Sequence, residues 1–366
     1  MKVLLVSPYS SKKIGGIGTW SKSVLNAFAD NEEIEIVFQN TAFFLKHNAK
    51  KKQTSIRRLI IGAFDTMSIL SKLLFNCLFE RPSIIHYTSS ASWALHKDKI
   101  AIKISNVFKI PFVIHWHFGR IPDIFEEQGN EYSLFTKISK QVNASIAIDK
   151  KSYDVLAKAG FNNIYYVPNA LPENVLRASS EICVEKRDEG TVLFVGQVLK
   201  TKGVYELVRS CVKLPAVKRL LIAGPYSEEI YTELMAIASE RGQVDWVCFL
   251  GEISREDVFK YYSSSTLFAL PSYTEGFPYV ILEAMAFGCP IIATDVGAIP
   301  QLITEETGVL IPSKDVNKLS SALNNLLSEP QKALKLGEKA KQEVIENYST
   351  ATVMNQYAKI WKRYMR

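Results

Sequence analysis

Residues 271–303 read PSYTEGFPYVILEAMAFGCPIIATDVGAIPQLI, and the order of residue types in this stretch decides the architecture. TLFALPS (266–272) reads as a strand and YTEGF (273–277) as the turn at its carboxyl end. Pro278 suits the first helical position, where its missing N–H costs nothing, and PIIATDVG (290–297) is the next strand. Strand, turn, helix and strand in this order make the unit of a parallel sheet. Two carboxylates stand within it, Glu275 in the turn and Glu283 in the helix, with seven residues between them. The helix start offers backbone N–H groups around Gly276, Phe277 and Tyr279, together with the positive end of the helix dipole, and phosphate binds well at such a place. A carboxylate accepts hydrogen bonds from vicinal hydroxyls, so two acids flanking a phosphate site suit a ribose and a hexose. The combination describes a nucleotide sugar. Taken alone, the two glutamates read as a loop acid and a helix acid with a salt-bridge partner.

Strand and helix patterns alternate on both sides of this stretch. Before it come KVLLVS, IEIVF, SIIHYT, FVIHWH, ASIAI and NIYYVP in the first half, then TVLFVG, RLLIAG and VDWVCFLG in the second. Between Asn169 and Gly190 apolar periodicity fades and charge rises, which predicts an interdomain linker. A chain of 366 residues suits two domains. The expected fold is therefore α/β, with two doubly wound Rossmann-like domains facing a central cleft: residues 1–170, residues 171–348, and a final helix, 349–366, crossing back to the first. Ligands of such sheets lie at the carboxyl ends of strands.

Composition narrows the class. Hydrophobic residues make up 47% and charged residues 22% of the chain, as in a folded globular protein. The five cysteines form no CxxC pair, so neither a zinc site nor a disulfide framework is expected, and a cytoplasmic location fits. The apolar run of MKVLLVSP is too short for a signal-peptide core and reads as a strand. Net charge is +7, and the excess lies in the first half. Much of it sits in KHNAKKKQTSIRR (46–58), followed by LIIGAFDTMSILSKLLFNCLF (59–79), an apolar stretch of helical spacing interrupted by Asp65 and Lys72. Those two charges make it a poor transmembrane span. It reads as an amphipathic helix with a basic entrance, either a core helix behind a solvated loop or a surface touching anionic lipid headgroups. No nucleic-acid partner is expected.

The 271–303 stretch resembles the donor-site signature of glycosyltransferase family 4, with its pair of glutamates ahead of a helix rich in small residues and a strand of the G-x-P-[VI]-[IV]-A-[ST] type. The resemblance extends to SPYSSKKIGGIGTWSKSVL, to IAIDKKSYDVLAKAGFNNIYYVPNAL and to LFVGQVLKTKGVYELV. It implies a GT-B architecture and retaining, metal-independent transfer of a sugar from a nucleotide-sugar donor to a glycan or lipid-linked acceptor, in cell-surface polysaccharide or glycolipid synthesis. It implies that Glu283 holds the ribose hydroxyls and Glu275 those of the transferred sugar. Backbone of Gly276, Phe277, Tyr279 and Val280 would meet sugar and diphosphate. No cofactor and no metal is implied, and the chain has no Asp-x-Asp triplet. Charge on the leaving diphosphate then falls to protein cations and helix starts.

Carried over residue by residue, Lys202 in KTKG matches the family lysine on the diphosphate, following Gly196 at the end of its strand. Gln197 departs from the arginine usual there, and a neutral amide lacks arginine's charged, bidentate grip; Lys200 stands close by in sequence. Gly15, Gly16 and Gly18 let backbone approach a ligand, Gly16 bordering the diphosphate or the acceptor. His115 and His117 alternate to one face of a strand, so both could reach the cleft mouth, and His117, nearer the strand end, matches the family histidine that contacts the transferred sugar. The rival readings are a nucleotide-sugar epimerase of the same architecture and a non-catalytic sugar-nucleotide binding protein. A glycosidase needs two carboxylates across one bond, which a loop and the helix after it give no reason to expect.

Overall fold

The structure, a computed structural model, describes residues 1–9, 16–42, 55–182 and 186–365, and for 55–60 the backbone alone. Gly15, Cys183 and most of the basic stretch 46–58 lie outside the described residues. Two units are present: Met1–Ala170 with Thr350–Arg366, and Leu171–Ser349.

The first unit has strands β1 (Lys2–Ser7), β2 (Glu35–Asn40), β3 (Ile84–Ser89), β4 (Phe112–Trp116), β5 (Ala144–Ala147) and β6 (Ile164–Tyr166). Its helices are α1 (Gly16–Ala27), α2 (Ser55–Phe79), α3 (Ala94–Val107), α4 (Ile121–Glu127), α5 (Asn130–Ser139) and α6 (Lys150–Lys158). The strands are parallel, in the order β2-β1-β3-β4-β5-β6. Both faces are covered, as the unbroken apolar strands require. Leu4, Val6, Ile85, Tyr87, Phe112, Ile114 and Trp116 pack into one core layer. The alternate residues Val3, Leu5, Ile84 and Val113 pack into the other. The two-residue period of the strand thus divides the sequence between two cores.

The second unit opens with α7 (Glu173–Glu181) and β7 (Asp188–Val195), a 3-10 turn at Lys200–Lys202, and α8 (Val204–Val212). It continues with β8 (Arg219–Ala223), α9 (Glu228–Ala238), β9 (Val247–Gly251), α10 (Arg255–Ser264), β10 (Ser265–Leu270) and α11 (Tyr279–Ala286). Then come β11 (Ile291–Thr294), α12 (Ile299–Leu302), β12 (Val309–Ile311), α13 (Val316–Ser328) and α14 (Pro330–Tyr348). Its parallel order is β12-β11-β10-β7-β8-β9. The chain winds one way from β7 and the other way from β10, so the topological switch point lies between these two neighbours.

Helix α15 (Thr350–Tyr364) belongs to the first unit. Val353, Met354, Tyr357, Ile360 and Trp361 form its buried stripe at helical spacing. Trp20 Nε1 donates to Tyr357 Oη at 3.0 Å, and Trp361 Nε1 donates to His86 Nδ1 at 2.9 Å.

Three local expectations are corrected. The stretch expected to be a linker contains α7, whose Val175 is fully buried. The charge that made it look solvated includes Arg187, whose guanidinium donates to the carbonyls of Tyr262, Ser263, Ser265, Phe287 and Gly288 at 2.8 to 2.9 Å. It gathers the carbonyl ends of α10 and α11, where a cation is favoured. Pro278 is the residue preceding α11 and not its first helical residue. Strand β12, three residues long, was not anticipated.

Candidate functional site

The residues singled out in the second unit gather at its switch point. Gly196 follows β7, and Lys202 closes the 3-10 turn beyond it; Ser272 to Gly276 follow β10, the neighbouring strand. Lys202 Nζ lies 2.6 Å from Glu275 Oε1, and Ser272 Oγ donates to the same oxygen at 2.7 Å. Tyr273 N donates to Thr201 O at 2.8 Å, which ties the two loops together at the backbone. Thr294 Oγ1, at the end of β11, donates to Ser272 O at 2.6 Å.

Two glycines allow this approach. Gly203 has φ +69° and lies so near β10 that an added Cβ would stand 1.9 Å from Pro271 O. Gly297, with φ +56°, would place a Cβ 1.9 Å from Glu275 O. Both positions combine left-handed backbone with no room for a side chain, which glycine alone accepts. Beside Gly297, Ala298 N donates to Gly276 O at 3.0 Å. The Glu275–Gly276 turn is therefore held from the β7 loop and from the β11 loop together.

Helix α11 begins at Tyr279 with no side-chain cap and no acid in its first turn. Val280 lies in that first turn, and Phe277, just ahead, is buried with its ring 6.4 Å from that of Tyr348. Gln197 and Lys200 are exposed at the mouth of the β7 loop.

Glu283 lies deeper. Its carboxylate is almost fully buried, pairs with the Arg255 guanidinium and accepts from Tyr262 Oη at 3.3 Å. Burial pushes its pKa up, while Arg255 and Tyr262 pull it down. Glu275 and Glu283 thus have separate partners: Lys202 and Ser272 for the first, Arg255 and Tyr262 for the second. Sequence reasoning missed Arg255 and Tyr262. Both lie on α10, and only the tertiary fold brings that helix to α11; the one available signal was that a glutamate in so apolar a run needs a partner.

In the first unit Gly16 is the exposed first residue of α1, and Trp20 on the same helix packs against His117, ring centroids 4.7 Å apart. His115 and His117 do share a face, with centroids 3.9 Å apart, but His115 is fully buried and belongs to the core. Trp361 is only a donor, so His86 Nδ1 is bare and its proton sits on Nε2, directed to His115 Nδ1 at 3.2 Å. His117 follows β4, held by its N–H to Ser89 O at 2.9 Å, and its buried Nε2 has no hydrogen-bond partner. Burial lowers the pKa of His117 and of His86 to about 3.

Chemically, the second unit's site offers a cation, an uncapped helix start and two carboxylates. That set suits an anionic ligand bearing hydroxyls. Among the described residues no cluster of three or more His, Cys, Asp or Glu could hold a metal ion.

Residues 178–343 match the family model described as glycosyl transferases group 1. D-inositol 3-phosphate glycosyltransferase of Mycobacterium sp. (strain KMS) is 37% identical over 143 residues, 38% of this chain and 33% of that protein. The chain thus spans about a third of the length of this curated relative. Among solved structures, sucrose-phosphate synthase from Thermosynechococcus elongatus superposes with a TM-score of 0.75 at 18% identity, covering 99% of this chain and 98% of that one. HepE of Anabaena, in complex with UDP, gives 0.74 at 17% identity, covering 99% and 100%. The fold is accordingly that of GT-B glycosyltransferases, built of two Rossmann-like domains.

Proposed function

From a second unit that matches glycosyl transferases group 1 across the switch-point loops, we propose that this chain is a retaining glycosyltransferase of family 4. It moves a sugar from a nucleotide-sugar donor, a UDP-sugar being the first to test, to a glycan or lipid-linked acceptor. The observation that carries the reading is Lys202 paired with Glu275 beside the uncapped start of α11. A diphosphate takes the Lys202 ammonium and the helix start, which frees Glu275 to accept from hydroxyls of the transferred sugar. Exchange of one anionic partner for another keeps the ammonium neutralised throughout. The reaction needs no metal in this reading, because cation and dipole meet the leaving phosphate. Glu283 accepts from the ribose, positioned by Arg255 and Tyr262. His117, with an unpartnered nitrogen, is the first unit's candidate for contact with the sugar, and Gly16 for contact with the diphosphate or acceptor.

The product serves cell-surface polysaccharide or glycolipid synthesis, with the enzyme in the cytoplasm at the inner face of the cell membrane. Screening UDP-, GDP- and ADP-sugars by thermal shift identifies the donor, since a tight ligand raises the melting point by mass action. Proton NMR of the product then reads the anomer. Retention of configuration with transfer to an acceptor supports the proposal; inversion refutes the retaining step, and conversion of donor without any acceptor identifies an epimerase.

A further inference from the structure

We propose that the outward face of α2 and its neighbour α3 is a docking surface for an anionic lipid bilayer. The inner face of α2 buries Ile69, Leu73 and Cys77. Gln39 Nε2 donates to Ile69 O at 2.7 Å and Asn76 Nδ2 donates to Gln39 Oε1 at 3.0 Å, so the helix is fastened along the sheet. Its outer face is apolar as well. Phe64 is 62% exposed, Met67 65%, Phe75 56% and Phe79 63%, and Leu74 and Leu78 are about half exposed beside them. Phe64 and Met67 lie one turn apart, as do Leu74 and Leu78 and Phe75 and Phe79, and the exposed Ser71 and Lys72 stand between the two apolar groups. The rings of Phe75 and Phe79 lie 4.4 Å apart. Helix α3 packs beside α2 in the same core layer and exposes Ile100 and Val107, with Trp93, 88% exposed, just ahead of its first residue.

Charge selects the occupant. The acids of the two helices, Asp65 and Asp98, are both buried, while Lys72 and Lys103 are exposed. The sequence from Thr41 to Phe64 adds Lys46, Lys50, Lys51, Lys52, Arg57 and Arg58 and no acid. Apolar side chains with the exposed Lys72 and Lys103 beside them, on a helix whose preceding sequence is basic, match a surface that is negative outside and hydrocarbon beneath. A second copy of the chain would bring the same cations face to face, which repels. Spanning is the other possibility for Ile61–Phe79, which by length and composition is apolar enough to cross a membrane. Leu73 and Cys77 in the core, with the ties to Gln39, keep α2 on the sheet, so it lies in the plane of the interface.

The test uses the full chain and sedimentation with vesicles of phosphatidylcholine, with and without about 30% phosphatidylglycerol. The protein sediments with the anionic vesicles, and about 0.5 M salt weakens the association. The triple variant Phe64→Ser, Phe75→Ser, Phe79→Ser loses about tenfold or more in affinity, and so does the pair Lys72→Glu, Lys103→Glu. All five positions are exposed, so melting points stay close to that of the parent; if the triple variant melts early, the lysine pair decides. Vesicle binding needs no sugar nucleotide, so this result stands apart from the transferase reading. Absence of binding by the parent overturns the proposal, as does binding unchanged in the variants. A dimer in sedimentation velocity that the triple variant dissociates, without vesicle binding, assigns the face to a second copy instead.

Discussion

Lys202 Nζ and Glu275 Oε1 lie 2.6 Å apart, joining the loop after β7 to the loop after β10. The pair is partly shielded, with side-chain exposures of 27% and 10%. Its value to stability is modest, about 1 kcal/mol or less after solvent screening. In the proposed function its larger role is in ligand binding. Lys202→Ala is expected to leave the melting point within a few degrees of the parent and to lower affinity for a UDP-sugar at least about tenfold, the loss of one charge-assisted contact. Calorimetry and thermal unfolding on the same preparation separate the two effects.

Gly297→Ala tests how the Glu275 turn is held. The added methyl meets Glu275 O and the backbone is left-handed, so the turn must move. A stability loss of about 1–3 kcal/mol is expected, with a fall in transfer rate larger than that loss explains. Urea unfolding alongside initial rates checks this, and full activity in a destabilised variant argues against a role for the clamp.

Arg187→Met is expected to cost at least about 3 kcal/mol, because five carbonyls at the ends of α10 and α11 lose a charged donor together. Since α10 carries Arg255 and α11 carries Glu283, donor affinity is expected to fall as well if the nucleotide sits at Glu283. Denaturant titration of the parent and the variant measures the first effect, and nucleotide binding the second.

The histidines of the first unit set a pH dependence. His86 and His117 have pKa values lowered to about 3 by burial, against 6.5 unfolded. A depressed pKa contributes stability that is fully present above the unfolded value and is lost as pH falls from 6.5 toward 3. Melting temperatures measured between pH 7 and pH 4 should therefore drop. Replacing His86 with Phe should flatten that slope while lowering stability at pH 7, because Trp361 Nε1 and His115 Nδ1 lose their partner.

Much of the architecture was legible because period and punctuation are local. The alternation in KVLLVS and FVIHWH corresponds to the two core layers of the first unit, and the strand, turn and helix around Glu275 stand where the residue types put them. What escaped depends on distant partners. Arg187 looked like linker charge, since nothing local marks an arginine whose acceptors lie 75 to 101 positions away. Arg255 and Tyr262 escaped for the same reason, and β12 is too short for its pattern to stand out. The Lys202–Glu275 pair was legible as two separate residues, but their bond depends on Gly203 and Gly297, whose roles appear only when the loops meet.

Calorimetric titration of UDP into the parent and into Glu283→Ala, with Glu283→Gln as the conservative control, decides whether the nucleotide sits at Glu283. The parent is expected to bind, the alanine variant to lose at least about tenfold in affinity, and glutamine, which still accepts from hydroxyls, to retain part of it. A folded alanine variant with the parent's dissociation constant would show that the nucleotide does not sit at Glu283.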